Sequence, residues 1–346
     1  MNKNNRFLLF LKKIWHWLSK YPALIVIAFV VPITISTLNY FFSGDYFFEN
    51  YYFEGNVFKA DAESFELTNI KRLKRIVDIS SYGNYQGGTC YHNYYLLCSN
   101  NFECILIYDL DTMKVEHIIY TGKTNTKYHC NTCFFGTTFY SAEDKFPLLY
   151  ISMENVNQTI AFRLYQKAGV YCIEEVQRIT LKFNDTNRLY YPNSYYDYEY
   201  NILFYSGYTK NSYRKSEDNQ LVYYAFAMPD DRRREVELNV EFSYFDTFTL
   251  PSETATQGGF ISEGYLYQTF SFHKKNDPDN APKMRIIDTR KGIIVKDYQD
   301  LGVYGYYEEY ENVAVSDKNR LIAFGTTSNT LYEFEYESNY VESSED

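Results

Sequence analysis

Two stretches of this chain open on the same three residues, Gln86-Gly87-Gly88 and Gln257-Gly258-Gly259, and then run through the same order of short strands. The first reads QGGTCYHNYYLLCSNNFECILIYDLDTMKVEHIIYTG. The second reads QGGFISEGYLYQTFSF and, after a polar insertion, PKMRIIDTRKGIIVKDYQDLG. In each, an Asp (Asp109, Asp288) closes the third strand, where its side chain can bond the backbone of a turn into a fourth. Weaker units of the same kind start near His129, Asn193 and Glu309. A WD40-like blade takes roughly 40–45 residues, and the five starts are spaced as such units with loop insertions. Repeated four-stranded units predict an all-β chain built as a β-propeller of five blades. The last unit has only three strands. The segment Ser64-FELTNIKRLKRIVDI-Ser80 has no partner of its own and can close the ring by pairing onto that unit, which hides a sheet edge. Six blades is the alternative count, if residues 50–80 hold a fuller blade.

Composition agrees with strands. Aromatic residues make up 20% of the chain, with 39 Tyr and 27 Phe, and these types favour strands over helices. The net charge of −10 argues against a nucleic-acid partner, because phosphate contacts need clustered Lys and Arg.

The N-terminus differs from the rest. From Tyr21 to Gly44 no residue is charged, and about 20 apolar residues cross a bilayer core. Residues 21–42 are therefore expected to form one transmembrane helix. Lys3, Arg6, Lys12, Lys13 and Lys20 precede it, and Asp45, Glu49 and Glu54 follow. The positive-inside rule then places residues 1–20, a basic and interfacial segment, in the cytoplasm and the C-terminal domain outside it. A buried core helix and a cleaved signal peptide are the competing readings. The run exceeds the 7–15 apolar residues usual for a signal and lacks an A-x-A-like exit. The division that follows is a connector at 43–62, the propeller at 63–337 and an acidic tail at 338–346.

Six cysteines lie within the first two units. Cys98 and Cys104 flank a turn and are a possible disulfide, which an extracytoplasmic location permits. Cys130 and Cys133, with His92 or His129, have the residue types of a zinc site; packed or bridged thiols are the plainer reading. No metal and no cofactor is expected.

In a propeller the inner strand of each blade starts at one mouth of a central channel. The inner starts here bring Gln86, His129 with Asn131, Asn193, Gln257, and Glu308 with Glu311 to one place. Amides, an imidazole and carboxylates suit hydroxyls, with Tyr190, Tyr191 and Tyr307 near for stacking. The competing reading is structural, with Gln and Asn bonding the backbone of the next blade. No P-loop, Rossmann fingerprint, H-E-x-x-H or G-x-S-x-G occurs.

The strings Gln257-GGFISEGYLYQ-Gln268, His129-Cys130-Asn131 with Leu148-LYIS-Ser152, and Glu308-EYENVAV-Val315 with Arg320-LIAF-Phe324 resemble a family of five-bladed propellers. That family includes phage receptor-binding heads and proteins of teichoic-acid biosynthesis. The resemblance implies a five-bladed propeller and recognition of glycans or surfaces, and it carries no catalytic set. The membrane anchor and the long third unit depart from it. The expectation is a membrane-anchored extracytoplasmic propeller that binds a glycan or a protein at the channel mouth. A carbohydrate-active hydrolase or lyase, using Glu308 or Glu311 with His129, and a scaffold in a membrane complex are the alternatives.

Overall fold

The computed structural model describes residues 48–76, 84–122, 128–184, 188–212, 218–243, 248–251, 254–271 and 281–341, the side chains of 48–52 excepted. The chain divides after Phe48, and the remainder forms one compact unit. The expected anchor at 21–42 lies outside the described residues. Among those described, no helix is long and apolar enough to cross a membrane.

The unit is a five-bladed propeller. Blade 1 is Tyr85–Tyr91, Tyr94–Ser99, Cys104–Asp109 and Lys114–Tyr120, from the axis outward. Blade 2 starts with Cys130–Phe135, Leu149–Met153, Gln158–Lys167 and Val170–Lys182. Blade 3 is Tyr190–Asp197, Ile202–Tyr208, Gln220–Ala227 and Phe248–Pro251. Blade 4 is Thr256–Ser262, Tyr265–Phe270, Lys283–Asp288 and Ile293–Tyr298. Blade 5 takes Tyr310–Val315, Leu321–Gly325 and Thr330–Glu337 from the end of the chain, and its outer strand, Glu66–Arg75, from the beginning. That strand pairs antiparallel from Glu66 opposite Glu337 to Arg75 opposite Thr330 and closes the ring.

Blades bury both faces, so their middle strands read as unbroken apolar runs rather than alternating ones. Successive side chains still point to opposite faces. Leu96, Cys98, Ile105 and Ile107 pack toward blade 2, with Cys130, Cys133 and Ile151. Tyr95, Leu97, Cys104 and Leu106 pack toward blade 5, with Ala314, Ile322 and Phe324. This corrects the expected Cys98–Cys104 disulfide. Cys98 stands opposite Ile105, so its neighbour Cys104 faces the other way. Both are free thiols. Cys98 Sγ instead lies 3.7 Å from Cys133 Sγ, and Cys104 Sγ lies 3.8 Å from the Tyr85 hydroxyl.

The third unit also differs from its sequence pattern. By the repeat, the strand after Gln220–Ala227 is the outer strand of the same blade. The chain instead leaves blade 3 after Ala227 and lays Glu235–Asn239 parallel to the outer strand of blade 2, Arg178 opposite Glu235. Only Phe248–Pro251 returns to blade 3. The detour is held by buried polar groups. Gln177 Nε2 donates to Asp230 O at 2.7 Å and Arg233 O at 2.8 Å, and the Tyr150 hydroxyl donates to Asp231 Oδ1 at 2.8 Å.

The expected Asp turns are present. Asp109 Oδ1 accepts from the Asp111 and Thr112 amides at 2.8 and 3.2 Å, and Asp288 Oδ1 accepts from those of Arg290 and Lys291 at 3.0 and 3.1 Å. The connector residues Phe53 and Phe58 pack on the propeller, Phe53 against Tyr91 and Phe135, Phe58 against Phe260 and Tyr267. The start of the acidic tail is tied down: Ser338 Oγ accepts from Asp61 N at 2.6 Å.

Candidate functional site

All five inner strands are bulged at one level. Pairing with the second strand skips residues 86–87 in blade 1, 131–132 in blade 2, 191–192 in blade 3, 257–258 in blade 4 and 311 in blade 5. A bulge inserts an unpaired residue and re-aims its side chain. Gln86, Asn131, Gln257 and Glu311 thereby occupy equivalent places around the axis, with Asn193 and Asn312 one step deeper.

The bulges press backbone on backbone, which explains the repeated glycines. A Cβ on Gly258 would lie 2.3 Å from Asn312 Cβ and 2.5 Å from its Cα. One on Gly87 would lie 3.0 Å from Cys130 O. The axis is crossed as well: Asn131 Nδ2 donates to Thr256 O at 3.4 Å, joining blade 2 to blade 4.

Around this level runs a polar cluster. His129 Nδ1 bonds Glu154 Oε2, and Asn131 Nδ2 donates to the same oxygen at 3.3 Å. Asn193 Nδ2 donates to Thr256 Oγ1 at 3.3 Å. Gln257 Nε2 donates to Ser271 O at 2.9 Å and Glu309 Oε1 at 3.2 Å. Glu311 Oε1 accepts from Thr326 Oγ1 at 2.8 Å. Among the described residues, four oxygens of the cluster have no hydrogen-bond partner: Gln86 Oε1, Asn131 Oδ1, Asn193 Oδ1 and Glu311 Oε2. Leaving such a group buried and unpaired costs about 1–3 kcal/mol.

Charge in the cluster is shared. Burial, then the charge of Glu309, pushes the Glu311 carboxyl well above the usual carboxylate range, and Glu154 adds to this. Burial pulls the His129 imidazole down, but its bond to Glu154 and the charges of Glu154 and Glu309 outweigh that, and the net direction is upward. The cluster thus pairs a carboxyl that favours its proton with an imidazole that favours its charge.

The structure brings His129, Asn131, Asn193, Gln257 and Glu311 together, with Gln86 at the equivalent position of blade 1. Glu308 is elsewhere. Its carboxylate accepts from the Tyr332 hydroxyl at 2.6 Å and the Ser328 amide at 3.1 Å, and it braces the outer part of blade 5. Tyr191 also turns aside, its hydroxyl donating to Asn211 Oδ1 at 2.6 Å. Sequence reasoning missed Glu154, which sits in a 3₁₀ turn at Glu154–Val156 between two strands of blade 2. It also missed Asn312, whose amide donates to Gln86 O at 2.9 Å and accepts from the Tyr95 hydroxyl. Glu154 has no repeated counterpart in the sequence, and the counterpart of Asn312 is Asn193. Among the described residues, no three His, Cys, Asp or Glu side chains gather as a metal cage.

No protein-family model matches the sequence. No curated protein matches it either. Among solved structures, the crystal structure of Myxococcus xanthus glutaminyl cyclase is similar, with a TM-score of 0.45 and 10% identity over 79% of this chain and 96% of that one. A likeness of that degree bears on neither substrate nor mechanism. The strand pairing on its own makes the described residues an all-β, five-bladed propeller.

Proposed function

We propose that this chain is a binding module whose bulged channel mouth takes a glycan through its hydroxyl groups, held outside the cytoplasm by a single N-terminal membrane span. One observation carries the reading. Buried side-chain oxygens from four blades stand at one mouth without hydrogen-bond partners among the described residues, beneath a rim where His129 and Glu309 are partly exposed. Sugar hydroxyls at the rim, linked through a water, supply what these oxygens lack. The net charge of −10 and the acidic cluster disfavour an anionic ligand.

The test is binding of the full chain, in detergent, to an array of neutral glycans, followed by titration with the best one. His129→Ala, Gln257→Ala and Glu311→Gln are expected to weaken binding about tenfold each, the scale of one lost hydrogen bond to a charged or buried group. Unchanged affinity in all three overturns the reading. Protease added to intact spheroplasts is expected to digest the propeller and spare a tag on the N-terminus. Digestion only after lysis reverses the orientation.

A second reading, a carbohydrate-active hydrolase or lyase, draws on the His129–Glu154 pair beside Glu311. The Glu311 carboxyl can donate its proton as the acid and, once ionised, take one back as the base, with the His129 imidazolium as a second donor. Release of reducing ends from a bound glycan, lost in Glu311→Gln while binding persists, selects this reading.

A further inference from the structure

The other end of the channel is built differently. There the inner strands end at Tyr91, Phe135, Asp197, Ser262 and Val315. The segment 53–61 crosses these ends as a strap. Asn56 Nδ2 donates to Val315 O at 2.8 Å and His92 O at 3.2 Å, and the Phe58 amide donates to Ser262 Oγ at 3.0 Å. Between the strap and the ends of blades 3 and 4 lies a cleft of about 640 Å³.

Its walls carry Glu54, Asp197, Glu199 and Glu263 against one guanidinium, Arg290. Arg290 is engaged already, 3.5 Å from Asp288 and over the Tyr265 ring at 5.1 Å. The group that points to a ligand is Asp197. Its residue is only 2% exposed, yet it lines the cleft. Its Oδ1 accepts from the Glu199 and Tyr200 amides at 3.1 and 3.3 Å. Among the described residues no donor bonds its Oδ2. Burial pushes the Asp197 carboxyl up to about 6, with the charge of Glu199 adding to it and Arg290 opposing. Burial and the charge of Glu199 raise Glu263 too. The cleft is therefore short of positive charge and of donors.

We propose that this cleft is a second binding site, for a ligand bearing a protonated primary amine, with the ammonium donating to Asp197 Oδ2 and the carboxylates of Glu199, Glu263 and Glu54 around it. The Tyr265 ring lines the same cleft beside Arg290. An ammonium matches the site because it brings three donors and one charge on a narrow stem. The site does not depend on what the bulged mouth binds.

The experiment is calorimetric titration of the full chain in detergent with 1,5-diaminopentane, beside 1,5-pentanediol, which has the same length and no charge. The diamine is expected to bind and the diol not to. Asp197→Asn keeps the Oδ1 acceptor of the turn and is expected to weaken the diamine about tenfold or more, the scale of one charge-assisted hydrogen bond. Glu263→Gln, on a hairpin tip, is expected to weaken it a few-fold through charge alone. Equal binding of diol and diamine, no diamine binding at millimolar concentration, or an Asp197→Asn chain that is folded and binds as the parent does would each overturn the proposal.

Discussion

The two ends of one channel solve the same problem in opposite ways. At the bulged end the five inner strands close on each other directly. Gly258 meets the backbone of Asn312, and the Asn131 amide reaches across the axis to Thr256. Polar groups there are pressed together and several are left unpaired. At the strap end the strands do not finish the closure. A segment from far away in sequence bridges them, and a cleft remains beside it. Direct closure concentrates unsatisfied acceptors. Closure by a strap leaves volume lined with carboxylates. The difference teaches that a propeller's two mouths are separate chemical environments although the same strands make both.

The sharpest way to break this contrast is with a methyl group at each end. Gly258→Ala places a Cβ against backbone that cannot yield, and is expected to destabilise the fold by about 3 kcal/mol or more. Gly55→Ala, in the strap, meets only the Tyr198 ring at 2.8 Å, with the cost of its φ of +86° added. Its loss should be smaller, about 1–2 kcal/mol. Urea unfolding of the two variants gives the order, and equal losses would mean both ends are packed alike.

A smaller effect separates the amides that hold each end. Asn312→Ala strands the buried Tyr95 hydroxyl and leaves Gln86 O without its donor, a loss of about 1–3 kcal/mol. Asn56→Ala removes two bonds to strand ends at a half-buried site, and should cost about 1 kcal/mol. Hydrogen exchange is expected to speed at the Phe58 and Lys59 amides in Asn56→Ala and to stay unchanged there in Asn312→Ala.

The last effect is a pH slope. Asp197 keeps its proton to about 6 in the fold, against an ordinary value of 3.8. The folded chain thus binds more protons than the unfolded one across that window, and stability falls as pH rises through it. Asp197→Asn removes the slope. Glu199, Glu54, Glu263 and Arg290 face the same group, so the variant's residual slope measures their share. Urea midpoints for parent and variant at several pH values across the window check this, and parallel slopes would show that Asp197 is not held up by burial.

Much of the ring was legible because its units repeat. The starts at Gln86, His129, Asn193 and Gln257 follow from recurring strands, and the closing strand follows from a segment without a partner of its own. Two features were not legible. The period of two is lost at a bulge, because one inserted residue turns every later side chain to the other face. Glu308 and Glu311 therefore read alike as members of an acidic string, and only the bulge at 311 sends Glu311 to the axis and leaves Glu308 on Tyr332. The second is the clasp at Glu235–Asn239. Its sequence, EVELN, suits any outer strand, and which blade it joins is decided by Tyr150 and Gln177, distant in the chain, which bond Asp231 and Asp230 just before it.

By itself the sequence determined that strands would form, that they would recur as five or six blade-sized units, and that amides and carboxylates would start the inner strands. Those are properties of periodicity and of local turn chemistry, which are written along the chain. Only the tertiary structure decided which carboxylates meet, which thiols lie side by side, and where room is left. Those depend on register and on contact between residues hundreds of positions apart. A shift of one residue, or a strap laid across one mouth, changes them without changing the pattern of strands.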